Sequence, residues 1–77
     1  MRELDLRGLR CPLPALRTRR CLADLAAGER VAVLCDDPLA AIDIPHLCRE
    51  EGHALEAEET QGTAKRFVVM VKTADGL

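Results

Sequence analysis

The chain has 77 residues, which is enough for one domain with a small core, so we expect residues 1–77 to form a single domain. Hydrophobic residues make up 48% of the sequence, with one Phe and no Trp or Tyr, so the core must be built from Leu, Val, Ile and Ala. No apolar run approaches the roughly 20 residues that a membrane helix needs. We therefore expect a soluble, cytoplasmic, globular protein with no membrane association.

The net charge of −2 is unevenly distributed along the chain. Residues 1–20 hold six arginines and two acids, whereas the remainder is predominantly acidic. No aromatic residues lie among these arginines, and this argues against direct nucleic-acid binding. A basic segment of this kind either contacts an acidic protein surface or stays solvated.

The first half of the chain predicts a strand, a helix and a second strand. Alternation over residues 3–7 is typical of a short strand. After a turn at Gly8, residues 12–27 predict a helix with Gly28 as its C-cap. The continuous apolar run over residues 30–35 predicts a strand.

The second half begins with a segment that contains Pro45, which would break a single helix. Residues 38–42 therefore predict a short helical turn. A second helix is expected from Ile44, with Asp43 as its cap and Gly52 as its end.

Two further strands complete the chain. Residues 53–59 alternate, with Leu55 and Ala57 expected to point inward, and residues 67–72 form an apolar run after a turn at residues 61–62. The order β-α-β-α-β-β predicts an α/β two-layer sandwich, with two helices on one face of a four-stranded mixed sheet.

The predicted crossover makes the first two strands parallel. Their carboxyl ends then lie at one edge of the sheet, which brings the loop of residues 8–11 near Cys35, Asp36 and Asp37. We interpret Asp36, Asp37 and Asp43 chiefly as turn and cap residues.

The first helix has two distinct faces at about 100° per residue. The core face is predicted to contain Pro14, Thr18, Cys21, Leu22 and Leu25. The opposite face exposes Leu13, Leu16 and Arg17 close to Cys11. Isolated exposed leucines are common, so this face is either ordinary surface or a docking patch.

Cys11 lies directly before Pro12, and proline is favoured at the first helical position. We therefore predict that Cys11 is the N-cap, with Pro12 at N1 and Pro14 at N3. Because neither proline has an N–H, the Leu13 N–H would be the early amide available to the sulfur.

The helix dipole, together with Arg10, favours a thiolate at Cys11. We predict that the pKa of Cys11 lies below its ordinary value of about 8.5. Asp36 and Asp37 would oppose this if they lie close, but we expect the helix terminus to dominate.

Three kinds of chemistry are open to such a thiolate. A metal site is not expected, because the Cys and His residues show no C-x-x-C or H-x-x-x-H pair. Cys21 would lie roughly 15 Å along the helix, too far for a disulfide, which requires Cα atoms within about 7 Å. Cys35 is expected to be buried, as is Cys48, although Cys35 stays open as a redox partner.

Nucleophilic catalysis of the cysteine-protease type needs a histidine base. His46 and His53 are not predicted at the Cys11 edge. What remains is a thiolate that accepts a group from one partner and passes it to another.

The motif Cys11-Pro12-Leu13-Pro14, preceded by Arg7-Gly8-Leu9-Arg10, resembles the signature of the TusA/SirA family of small sulfur carriers. The similarity extends over nearly the whole chain, through Asp36-Asp37-Pro38, Asp43-Ile44-Pro45, Cys48 and Gly52-His53. The resemblance implies the β-α-β-α-β-β sandwich. It also implies that sulfane sulfur is carried as a covalent persulfide on Cys11, with no other cofactor.

The implied activity is a relay from a cysteine desulfurase or rhodanese-like donor to a downstream acceptor protein. The chain would be a sulfurtransferase component rather than a stand-alone enzyme. Pro12 and Pro14 would present the sulfur, and the partner would dock on Arg10, Leu13, Leu16 and Arg17.

Leu13 departs from the tRNA-thiolation members, which carry an acidic residue at its position. Transfer of sulfur to tRNA thiolation, to a molybdenum cofactor pathway or to sulfur oxidation stays open. An alternative function is a non-catalytic regulatory or interaction module in which Cys11 is a redox-sensing thiol.

Overall fold

Four strands and two helices make up the computed structural model, which describes residues 1–72. In chain order they are β1 (Arg2–Asp5), α1 (Leu13–Ala23), β2 (Arg30–Cys35), α2 (Ala40–Glu51), β3 (Ala54–Gln61) and β4 (Ala64–Met70). This order confirms the β-α-β-α-β-β prediction. Neither helix is long and apolar enough to cross a membrane.

The strands form one mixed sheet in the order β1-β2-β4-β3. Strand β1 runs parallel to β2, with Leu4 opposite Val33, as the β-α-β unit predicts. Strand β4 is antiparallel to both β2 and β3. The carboxyl ends of β1 and β2 therefore lie at the same edge, where the loop of residues 6–12 begins.

The core lies between one face of the sheet and both helices. Alternate residues of β2 and β4 point toward the helices, namely Val31, Val33, Cys35, Phe67 and Val69. The helices contribute apolar side chains that include Leu22, Ile44 and Leu47. The predicted core face of α1 is confirmed, since Pro14, Thr18, Cys21, Leu22 and Leu25 are all buried.

Helix α1 is shorter than predicted at its carboxyl end. It ends at Ala23 with Asp24 as C-cap, so Gly28 is not its cap. Gly28 instead lies in the connection to β2 with a φ of 92°, and its N–H donates to the Val71 carbonyl at 2.7 Å. This bond joins the connection to the chain just after β4.

Helix α2 is continuous through Pro45, so the predicted break is wrong. The proline lacks the N–H that would bind the carbonyl four residues earlier, and its ring crowds that carbonyl, yet the helix continues past it. Burial of Ile44 and Leu47 on either side holds the helix against the core. Asp43 consequently lies in the first turn and not at the cap, whereas Gly52 ends the helix in the left-handed conformation as predicted.

The β3–β4 hairpin contains an irregularity that the alternation did not predict. The register shifts between Leu55, which pairs with Val69, and Ala57, which pairs with Val68. Val69 faces the helices, so its neighbour Val68 faces the other side of the sheet. Ala57 is paired with Val68 and lies on that same side, so the prediction that Ala57 points inward is wrong. The turn at Gly62 is confirmed, with a φ of 63°.

Candidate functional site

Cys11 lies in the loop between β1 and α1 and is exposed. The other three cysteines are buried: Cys21, Cys35 and Cys48. Burial raises the pKa of the Cys35 and Cys48 thiols, which makes both less reactive. Across residues 1–72, Cys11 is thus the one thiol accessible to a protein partner.

Two adjacent acids after β2 hold the loop that carries Cys11. Asp36 Oδ1 accepts the N–H of Gly8 at 3.0 Å, and Asp37 Oδ2 accepts the N–H of Cys11 at 2.6 Å. The predicted proximity of this loop to the end of β2 is confirmed. Its direct attachment through the two carboxylates was missed, although two acids following a strand parallel to β1 were the available signal.

Asp37 also organises the start of α2. Its Oδ1 accepts the N–H of Leu39 at 3.4 Å, and its carbonyl accepts the N–H groups of Ala40 and Ala41. The residue is only 7% exposed. One buried aspartate therefore connects the backbone of Cys11 to the N-terminus of α2.

The start of α1 differs from the prediction. Leu13 is the first helical residue, Pro12 is the N-cap and Pro14 follows at the second position, so Cys11 is not the N-cap. The Leu13 N–H donates to the Arg10 carbonyl at 2.8 Å and is not available to the sulfur. The turn over residues 10–13 uses this amide before the helix begins. The Cys11–Pro12 peptide bond is cis.

The thiol of Cys11 contacts a carboxylate that comes from α2. Sγ donates a hydrogen bond to Asp43 Oδ2 at 3.2 Å. This bond raises the pKa of Cys11, and partial desolvation and the negative charges of Asp43 and Asp37 act in the same direction. The predicted lowering is therefore wrong. The guanidinium of Arg10 lies 4.0 Å from Asp36 and is paired there.

Exposed apolar side chains lie near this thiol in sequence, on α1, and near its partner Asp43, on α2. Leu13 and Leu16 are 44% and 50% exposed, as predicted from the faces of α1. Leu39 and Ile42 are 55% and 66% exposed beside Asp43, and sequence reasoning missed them. We call Cys11 and these four apolar residues the Cys11 surface.

The charged residues assigned to docking also lie on the outside of the molecule. Arg10 and Arg17 are both exposed. Within residues 1–72 Arg17 forms no ion pair, so its charge is available to a partner. The site thus combines an accessible thiol, exposed apolar side chains and positive charge.

Neither histidine contacts Cys11. His46 Nε2 lies 3.4 Å from Glu50, and His53 Nδ1 accepts the N–H of Lys72 at 3.3 Å. The described part of the chain contains no group of three or more His, Cys, Asp or Glu residues that could hold a metal ion. The arrangement suits an attacking thiol that exchanges a group with another protein.

Comparison with known proteins agrees with this arrangement. The family model described as sulfurtransferase TusA matches residues 2–72. The crystal structure of a SirA-like protein from Desulfitobacterium hafniense superposes with a TM-score of 0.83 and 26% sequence identity. The match covers 95% of this chain and 100% of that chain. With the family model matching nearly its whole length, the chain belongs to the TusA sulfurtransferase family.

Proposed function

We propose that the protein is a sulfur relay component that carries sulfane sulfur as a persulfide on Cys11. Membership of a sulfurtransferase family supports the transfer of sulfur with other proteins as partners. The observation that carries the proposal is the exposure of Cys11 while the other three cysteines are buried. A carrier needs a thiol that two proteins in turn can reach.

Each transfer is an exchange at sulfur. The Cys11 thiol first loses its proton to solvent, because the thiolate is the nucleophile. Sγ then attacks the terminal sulfur of a donor cysteine persulfide. A bond forms between the two sulfurs, and the donor's own S–S bond breaks with its electron pair leaving on the donor thiolate. An acceptor thiolate repeats the exchange and regenerates Cys11, so no net oxidation occurs.

The loop geometry supports transfer between proteins. Asp36 and Asp37 hold the backbone on both sides of Arg10, and α1 begins immediately after Pro12. A fixed sulfur favours the collinear approach of attacking, transferred and leaving sulfurs, because orientation is established before the partner arrives. Pro12 and Pro14 contribute to this presentation of the sulfur, because their fixed φ angles restrict the chain between Cys11 and the first turn of α1.

The Cys11 surface provides the docking contacts in this proposal. Leu13, Leu16, Leu39 and Ile42 offer apolar contact, while Arg10 and Arg17 offer positive charge. Such a surface is complementary to a partner with an apolar patch bordered by acids. The donor is a cysteine desulfurase or a rhodanese-like protein, and the acceptor is a thiol protein. The destinations named above, tRNA thiolation included, all remain compatible with this step.

Sulfur loading provides the test. The protein is incubated with a cysteine desulfurase and cysteine, and separately with a rhodanese-like protein and thiosulfate, and its intact mass is measured under non-reducing conditions. We expect the mass of one sulfur atom to be added, to map to the peptide containing Cys11, and to be removed by dithiothreitol. Free sulfide without a donor protein is the control.

The same experiment separates the alternative function. A regulatory module with a redox-sensing thiol would gain no sulfur from either donor, while mild peroxide would still oxidise Cys11. That pair of results would contradict the carrier proposal.

A further inference from the structure

The carboxylate of Asp43 lies against the Cys11 thiol, yet persulfide exchange as written above has no step that uses it. Asp43 is half-buried in the first turn of α2, and its backbone N–H donates to the Leu39 carbonyl at 2.9 Å. Its position is thus set by the helix and not by a mobile loop. The contact with Sγ, at 3.2 Å, joins residues 32 positions apart and exists only in the folded protein.

The charges around the sulfur are predominantly negative. Asp43 faces it from α2, and Asp37, from the connection between β2 and α2, binds the N–H of Cys11. Asp36 lies on the same connection and binds the loop at Gly8. The cation nearest in sequence, Arg10, has its guanidinium beside Asp36. In residues 1–72 no cationic side chain is hydrogen-bonded to Sγ.

Loss of the thiol proton changes the contact with Asp43 from a hydrogen bond into a repulsion between two anions. A hydrogen bond donated to a charged acceptor is stronger than one between neutral groups. The protonated form of Cys11 is therefore stabilised and the thiolate is opposed by the same carboxylate.

We propose that Asp43 is a positioning residue that holds Cys11 as the thiol and keeps its Sγ in one orientation while the protein is free of partners. This deepens the proposed function, because it assigns the state of the carrier thiol between transfers. Since the thiolate is the reactive form, the free protein is slow to react with small electrophiles. A cationic group that neutralises the Asp43 carboxylate allows Cys11 to lose its proton.

The test measures alkylation of Cys11 by iodoacetamide across a range of pH, with modification at Cys11 quantified by mass spectrometry. Asp43→Asn removes the charge at nearly constant size. We expect the apparent pKa of Cys11 to fall, which makes alkylation near neutral pH several-fold faster because a larger fraction of Cys11 is ionised. At pH values above the pKa of both proteins the rates should converge.

Two matched variants define the effect. Asp24→Asn makes the same change in net charge at the exposed carboxyl end of α1, and its alkylation profile should match that of the wild type. Asp43→Glu keeps the negative charge and should restore most of the slow alkylation. Superimposable profiles for Asp43→Asn and the wild type would overturn the proposal.

A second measurement uses the unmodified protein and does not depend on whether Asp43→Asn folds. The carbon-13 shift of the Asp43 carboxyl group should show an inflection at the pH where Cys11 ionises, because the two groups interact directly. A titration without that inflection would also overturn the proposal. Neither measurement uses a sulfur donor, so failure of sulfur loading would refute the proposed function and leave this inference standing.

Discussion

Carboxylates play different parts in the loop that carries Cys11 and in the β3–β4 hairpin. At the Cys11 edge, Asp36 and Asp37 accept backbone N–H groups from a loop that lies more than 20 residues away in sequence. At the β3–β4 hairpin, the Glu58 carboxylate accepts a hydrogen bond from the Lys65 ammonium at 2.7 Å, and both side chains are substantially exposed. A second exposed pair, Arg66 with Glu59, lies on the same hairpin.

The difference lies in the partner and, for Asp37, in burial. An exposed ion pair contributes about 0–1 kcal/mol, because solvent screens it and two flexible side chains must be ordered. A buried carboxylate that accepts main-chain N–H groups fixes the backbone, and its removal leaves those groups without partners. Acidic residues at the Cys11 edge therefore control the geometry of the site, whereas those at the hairpin adjust its surface.

The largest expected effect is loss of the chemistry at the Cys11 edge without loss of the fold. Cys11→Ser should abolish sulfur loading in the mass assay. Its free energy of unfolding should change by less than about 0.5 kcal/mol, because the side chain is exposed. Cys21→Ala is the control: it should keep loading while losing about 1 kcal/mol of stability through a core cavity. Loading of the Cys11→Ser protein would contradict this assignment.

The free energy of unfolding tests the comparison between the carboxylates of the two regions. Asp37→Ala should lower the free energy of unfolding by about 2 kcal/mol, because it leaves the N–H groups of Cys11 and Leu39 without their acceptor. Glu58→Ala should cost no more than about 0.5 kcal/mol. Urea denaturation of both variants measures the difference. Equal losses of unfolding free energy would mean that burial and bonding to the backbone do not distinguish Asp37 from Glu58.

Charge reversal should slow sulfur transfer only where the reversed charges lie beside Cys11. Arg10→Glu combined with Arg17→Glu should slow sulfur transfer from the donor about tenfold at low salt, and much less at high salt, because exposed charges are screened over about 10 Å at 0.1 M. Arg49→Glu with Lys72→Glu makes the same change in charge at the opposite end of the sheet, where α2 and β4 end, and should leave the rate unchanged. The rate of sulfur loading is measured at two ionic strengths. A rate that is unchanged at both would mean that Arg10 and Arg17 are only solvated and do not dock the donor.

The smallest expected effect concerns an exposed acid at the end of β1. Hydrogen bonds from Arg7 lower the pKa of Asp5 from 3.8 to about 2. Because the folded-state pKa is depressed, the stabilisation is present above about pH 4 and is lost as the pH falls toward 2. The free energies of unfolding of the wild type and of Asp5→Asn, compared at pH 5 and at pH 3, measure this stabilisation. The wild-type advantage should shrink at the lower pH, and an advantage that grows would contradict the assignment.

Local pattern by itself determined much of this protein. The order of elements, the bounds of β2, the buried face of α1 and the end of α2 at Gly52 all followed from periodicity and glycine placement. The motif beginning at Cys11 was sufficient to indicate the family. These features could be predicted because each depends on residues that are close together in the chain.

Tertiary structure decided the electrostatics of the thiol and several element boundaries. Asp43 reaches Sγ because α2 begins at Ala40 and places its first turn beside the loop. The observed start of α1, by contrast, differs from the predicted one because a local turn uses the Leu13 N–H. The sign of the pKa change at Cys11 depends on which charges long-range packing brings into contact with the sulfur. A helix dipole can be predicted from sequence, but a carboxylate 32 residues away acts on the thiol only after the chain has folded.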